Sequence, residues 1–433
     1  MATLTISTRW QQQGSRQLLT LFCCLAISGV VDAYPIKSSL ALNDNTPHPP
    51  IADTQTADLS NFSINSGNPI NVDGTEAMKA QDSLAVTFVN PGLRGERFWD
   101  MVTDTMQAAA HDLNITLKVV YAKRNPFLLK KLALQALEDP TPPDYLVLVN
   151  EEQAASELLK TSDSYRTRVV MLLNGLTREQ EQVHGSPGTI HPAWIGSVIP
   201  DNYTAGKRMA NQLIKEARQV SPTGQLRGLA LIGDTLTPAS IARNSGMLAG
   251  FAQDEAFQLD RIIEARWNTQ DAQHLTGKYL KWTNHSNGQN DLVWAANDAM
   301  AEGAILAIES AGLTPGKDVL VAGLNWSPEG ISMVSDRRLL LTDGGHFMAG
   351  AWSMVMVRDH ATIEGWVPRT VNFPMSAITH DNVELYGPLL KTPDWRSADF
   401  KAFGLQESQG VYDFDPMTVL IQMIGQQEDD IAQ

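Results

Sequence analysis

Cysteine is nearly missing from this chain, with two among 433 residues, and both, Cys23 and Cys24, sit in one apolar stretch near the N-terminus. The remainder therefore has no disulfide framework, no thiol nucleophile and no cysteine metal site. Basic charge is also scarce. The net charge is -15, and without a Lys/Arg-rich stripe neither a nucleic-acid backbone nor an anionic membrane surface is an expected partner. Long apolar runs are few, and the longest, LLTLFCCLAISGVV from Leu18 to Val31, falls short of the roughly 18 or more residues of a bilayer-spanning helix. Catalytic signatures are missing too: no HExxH, no GxSxG elbow, no Walker loop, no D-x-[DN]-x-[DN]-G calcium loop and no H-x3-H pair. No enzyme activity, metal or cofactor is expected on these grounds.

The first 33 residues read as an export signal. Arg9 and Arg16 precede the apolar segment, which ends in the small-residue sequence Val31-Asp32-Ala33, so cleavage near Ala33 and a periplasmic location are expected. Cleavage removes both cysteines together with Arg9, Arg16 and Asp32, which takes the net charge from -15 to about -16. A cysteine-free exported chain of this length suits a periplasm, because its core is large enough to need no disulfide. Residues 34–82, rich in Asn, Asp, Ser, Thr and Pro, show no sustained period and read as a flexible leader.

After Ser83 short apolar β-type runs alternate with amphipathic segments, the pattern of βαβ units and a parallel sheet. LAVTFV, ITLKVVYA, DYLVLV, RVVMLL and WIGSVI read as one set of strands, with helices over 97–113 and 127–137. RGLALIG, DRIIEARW, DLVWAA and KDVLVAGL, interleaved with four helical segments, read as a second set. RRLLLTDGG, the helix from His346 to Gly365 and the strand-like TVNFPMSAI complete one lobe or the other. Continuous apolar strands such as YLVLV imply helices on both sheet faces. The fold class is therefore α/β with two similar lobes.

In such sheets ligands bind beyond the carboxyl ends of the strands. That rule selects Asn90, Phe98 and Trp99 after the first strand, Asn174 after VVMLL, Trp267 after RIIEAR, Asn297 and Asp298 after LVWAA, and Asn325 and Trp326 after VLVAGL. Arg243 opens a helix at the same edge. Aromatics, amides, one carboxylate and one guanidinium, with no base paired to a nucleophile, suit a small polyhydroxylated ligand: rings cover C–H faces and planar polar groups meet hydroxyls. Simpler roles exist for each. Phe98, Trp99 and Trp267 also fit a core, Asn297-Asp298 a helix N-cap, Arg243 a solvated helix face, and His346 in TDGGHF a core or rim position.

The stretches VWAANDAMAEGAILAIESAGL and DVLVAGLNWSPEGISMV resemble the type I periplasmic binding proteins, particularly the ribose- and glucose/galactose-binding group, and the resemblance extends from about Ser83 to about Tyr386. It implies two Rossmann-like doubly wound lobes joined by three crossing segments: 83–199 with 344–371, and 200–343 with 372–425. The polar end QQEDDIAQ, 426–433, reads by its composition as a frayed tail. The resemblance further implies that Phe98 or Trp99 and Trp267 sandwich a sugar, that Arg243 binds its oxygens, and that Asn174 and Asn297 add amide contacts. Where the family commonly has Asp in a GxD position, this chain has Asn325 followed by Trp326, and loss of that carboxylate removes a strong acceptor for paired hydroxyls. The expected role is a monomeric receptor that hands its ligand to a membrane ABC permease. The alternatives are a co-receptor for a membrane sensor kinase or cyclase, resembling autoinducer receptors, and an exported hydrolase.

Overall fold

The protein, described by a computed structural model over residues 83–285 and 291–432, is built on two six-stranded sheets. The expected signal segment, its cysteines and the leader lie outside the described residues. The first sheet holds β1 (Leu84–Asn90), β2 (Ile115–Tyr121), β3 (Tyr145–Leu148), β4 (Arg168–Leu172) and β5 (Trp194–Pro200). The helices between and after them are α1 (Arg97–Asp112), α2 (Pro126–Leu137), α3 (Ser156–Ser162) and α4 (Arg178–His184). The second sheet contains β6 (Leu226–Ile232), β7 (Phe257–Glu264), β8 (Leu292–Ala295), β9 (Leu320–Leu324) and β10 (Leu341–Gly344). With them run α5 (Asn202–Val220), α6 (Pro238–Phe251), α7 (Thr269–His285), α8 (Asp298–Ser310) and α9 (Pro328–Ser335).

Helix α10 (Ala349–Thr362) returns the chain to the first sheet, where β11 (Arg369–Phe373) pairs in parallel with β5, and β12 (Ser376–Thr379) then pairs antiparallel with β10 in the second. The strand-like TVNFPMSAI is thus two strands in two sheets. Pro374, which has no N–H for a ladder, marks the break between them. Helices α11 (Val383–Lys391) and α12 (Pro416–Ala432) follow.

The strand orders are β11-β5-β4-β3-β1-β2 and β12-β10-β9-β8-β6-β7. Each sheet reverses direction of winding next to its first strand, at β1/β3 and at β6/β8, which is where the doubly wound topology leaves a crevice. The strands are buried on both faces: Phe88, Val147, Val170, Leu231, Trp294 and Val321 are each fully inaccessible. This matches their continuous apolar sequences. Caps fix the helix starts that frame the crevice. Asn125 accepts from the Leu128 amide with Pro126 in the first turn, and Asn297 accepts from Met300.

Two expectations about the later chain differ from the packing. The resemblance places residues 372–425 in the second lobe, and β12 and α11 are there, but Phe373 closes the first sheet, and after α11 the chain goes back to α1 and α10. There the Phe400 amide and Lys401 bind Asp112, the Leu405 amide binds the buried Asp359, and Phe414 stacks on Trp352 with centroids 5.1 Å apart. Buried aromatics at Trp395, Phe400, Phe403 and Phe414 drive this return. The frayed tail expected from Gln426 instead continues α12 to Ala432. No helix among the described residues is long and apolar enough to cross a membrane.

Candidate functional site

The carboxyl ends of both sheets face one cleft enclosing about 580 Å³ of space, part of it open solvent. Three of its lining residues, Arg124, Leu173 and Trp267, have left-handed backbone with φ between 58° and 67° without being glycine, conformations that cost energy and concentrate at functional sites.

Phe98 and Trp99 start α1, and their rings meet edge to face at 5.1 Å. Phe98 is half-buried and stacks on His346, with centroids 4.6 Å apart and planes at 20°. Trp99 is more deeply set, 3% exposed, because Gly92 leaves its ring the space a Cβ would fill; its indole N–H is buried without a partner among the described residues. Across the cleft Trp267 lies where Gly233 lacks a side chain, a Cβ there falling 2.0 Å from the indole. Its N–H donates to Asp234 at 2.8 Å, and its carbonyl accepts from the Asn297 amide at 3.1 Å.

Arg243, 3% exposed, projects from α6 between these walls. It donates to Asn202 Oδ1 at 2.7 and 3.2 Å and to the Ala296 carbonyl, with its guanidinium 5.8 Å from the Trp267 ring. Burial lowers its pKa to about 10, against the pull of Asp343, Asp298 and Asp234, so it stays charged at neutral pH. Burial, followed by repulsion from Arg243, holds His346 well below the ordinary histidine range. Its ring is neutral, and the buried Nδ1 has no partner among the described residues.

Asn174 and Asn325 also line the cleft. Asn174 accepts from the Ala239 amide of α6 at 3.0 Å, a bond that crosses from one lobe to the other. The Asn325 side chain makes no hydrogen bond to the described residues. Its backbone N–H donates to the Asp343 carbonyl at 2.7 Å.

Three expected site residues are elsewhere. Asn90 is fully buried and braces its own loop, accepting from Gly92 and donating to Thr103. Asp298 accepts from the Ser327 amide and hydroxyl and from Thr342, tying α8 to the loop after β9 and to β10. Trp326, in a left-handed conformation with φ 57°, turns its indole into the second lobe's core beneath Gly344, where its N–H reaches the Ser376 carbonyl at 2.9 Å. It therefore does not line the cleft.

Residues 86–362 match the periplasmic binding protein domain family. The chain belongs to this family. The ribose import binding protein RbsB of Escherichia coli (strain K12) is 26% identical over 270 residues, 61% of this chain and 79% of the relative. The galactofuranose-binding protein YtfQ of the same strain is 28% identical over 137 residues, 31% of this chain and 41% of that relative's length. A crystal structure of a periplasmic sugar-binding protein from Pseudomonas fluorescens is similar with a TM-score of 0.68 and 29% identity, covering 78% of this chain and 99% of the other.

In this family member several further residues line the cleft, three of them in the loops after β1, β2 and β3. Glu96 precedes α1, Arg124 follows β2, Glu151 follows β3, and Asn202 and Thr237 sit at helix starts. Arg124 binds both Glu96 and Glu151 and lies 5.7 Å from the Trp99 ring. Burial alone would lower the guanidinium's pKa, but Glu151 and Glu96 outweigh it and raise it. Burial raises Glu151 against the attraction of Arg124. Charged loop residues such as those of YAKRNP and VNEEQ are ordinarily solvated and so carry no site signal in the sequence, and only the sheet order brings these two loops side by side.

Proposed function

We propose that this chain is an exported, non-catalytic receptor that closes its two lobes over a small sugar and delivers it to a membrane ABC permease. The observation that carries the reading is the pair of aromatic walls, Phe98 from the first lobe and Trp267 from the second, facing one cleft with Arg243 between them. A sugar ring offers apolar C–H faces to such walls and hydroxyls to the guanidinium and amides. The relatives' names, a ribose import binding protein and a galactofuranose-binding protein, support a monosaccharide as ligand. Export through a signal cleaved near Ala33 and action as a monomer belong to the same proposal, with Phe98, Asn174, Arg243, Trp267, Asn297 and Asn325 as contacts.

The test is calorimetric titration of the ligand-stripped protein with pentoses, hexoses and furanose sugars, with tryptophan fluorescence recorded in parallel. Saturable binding of at least one sugar is expected, with a fluorescence change abolished in Trp267→Ala. Heat from none of the panel would overturn the sugar reading, and sustained release from chromogenic glycosides would overturn the absence of catalysis.

A further inference from the structure

The cleft's polar groups differ in how much capacity they have left. Asn202 and Asn297 use their side-chain oxygens on Arg243 and on the Met300 amide, and their amide nitrogens on the Pro200 and Trp267 carbonyls. On the first-lobe wall the balance is different. Arg124 directs Nε to Glu96 at 3.2 Å and one N–H of each terminal nitrogen to Glu96 and Glu151, which leaves two of a guanidinium's five N–H groups. Glu151 uses one oxygen, and its other has no partner among the described residues. The buried Trp99 N–H beside them is also unpartnered among the described residues. These groups meet at the β1/β3 switch point and line the same cleft.

Resting on the sugar reading above, we propose that Arg124, Glu151 and Trp99 form a polar subsite of the first lobe that takes a hydroxyl-bearing arm of an uncharged sugar and rejects a carboxylate or phosphate in the same place. A hydroxyl suits the set because it both donates, to the free Glu151 oxygen, and accepts, from the Trp99 and Arg124 N–H groups. An anionic oxygen only accepts. Arg124 does not attract it, since two carboxylates already face one guanidinium and the cluster carries a formal charge of minus one. Glu151, whose side chain is 13% exposed, would oppose a second anion with little water to screen the repulsion.

The experiment is calorimetry on the full chain with matched ligands: galactose against galacturonate and galactose 6-phosphate, and ribose against ribose 5-phosphate. The expected result is a preference of about tenfold or more for the neutral member of each pair that binds. Glu151→Gln, which keeps the shape, should weaken the neutral sugar by about tenfold and shrink the neutral-to-anion ratio to within about threefold. Trp99→Phe, which keeps the ring and deletes the N–H, should weaken the neutral sugar severalfold and leave that ratio unchanged. A purely structural role for Glu151 would not move the ratio. If wild type binds a neutral sugar but Glu151→Gln keeps both affinity and ratio within about twofold, or if wild type prefers the anion, the subsite is overturned and the sugar reading stands. If wild type binds none of these ligands, both are overturned.

Discussion

Arg243 is buried, charged and held by Asn202 and the Ala296 carbonyl, so removing it acts on binding and on folding together. Arg243→Ala should weaken sugar binding by roughly 2–5 kcal/mol, the loss typical of truncating one partner of a buried charged contact. Titration calorimetry reads this directly, and unchanged affinity in a folded variant would remove Arg243 from the site. Asp298 tests a different quantity. Burial outweighs the hydrogen bonds from Thr342 and Ser327 and raises its pKa to about 6 from 3.8. Between those values the folded state holds a proton that the unfolded state has released, so its contribution to stability is full below about pH 4 and falls as pH rises through about 6. Asp298→Asn removes this titration. The melting temperature of wild type relative to Asp298→Asn should therefore fall between pH 4 and pH 7, and a constant difference would contradict the assignment. At this scale Phe98, Trp267, Asn174 and Arg243 were legible from strand ends alone. Trp326 and Asp298 were not, because a left-handed φ and a packed neighbouring loop turn them inward, and neither leaves a periodic trace.

Among the elements, α5 and α6 pack most intimately. Gly206 sits where a Cβ would lie 2.1 Å from the Arg243 carbonyl, and Gly246 where one would lie 1.9 Å from the Tyr203 carbonyl. Both neighbours are backbone and cannot swing away. Gly246→Ala should force the helices apart and destabilise the protein by roughly 1–3 kcal/mol, seen as a lower urea midpoint at unchanged slope. Ligand affinity should drop as well, since α6 carries Arg243; an unaltered midpoint would mean the helix pair relaxes without strain. The alternation of strands and helices from Ser83 to Phe373 was readable because apolar period and turn residues are local signals. The split of TVNFPMSAI between two sheets was not, since one extended run looks the same whether its halves pair with one neighbour or two.

Across the whole molecule the two lobes touch over the cleft through few bonds. Asn174 accepts from Ala239 N, Thr237 accepts from Glu152 N at 3.3 Å, Gln153 donates to the Leu236 carbonyl at 3.1 Å, and Arg97 pairs with Glu329 at 2.8 Å. The last is exposed and worth little. Replacing Asn174 and Thr237 together, as Asn174→Ala with Thr237→Val, should disfavour the closed arrangement. About 1 kcal/mol for each lost bond would weaken ligand by roughly tenfold or more. The same variant without ligand should have a larger radius of gyration by X-ray scattering than liganded wild type, and equal affinity would show that these bonds do not hold the lobes together.

What the sequence determined by itself was the α/β class, the repetition of one winding pattern in two lobes, and a set of aromatics and amides at strand ends, because each depends on neighbours in the chain. The tertiary structure alone decided that Trp326 serves a core while Trp267 faces the cleft, that residues beyond Lys391 return to α1 and α10, and that Arg124 and Glu151 meet. Those outcomes depend on strand order and backbone handedness, which bring together residues that no local period relates.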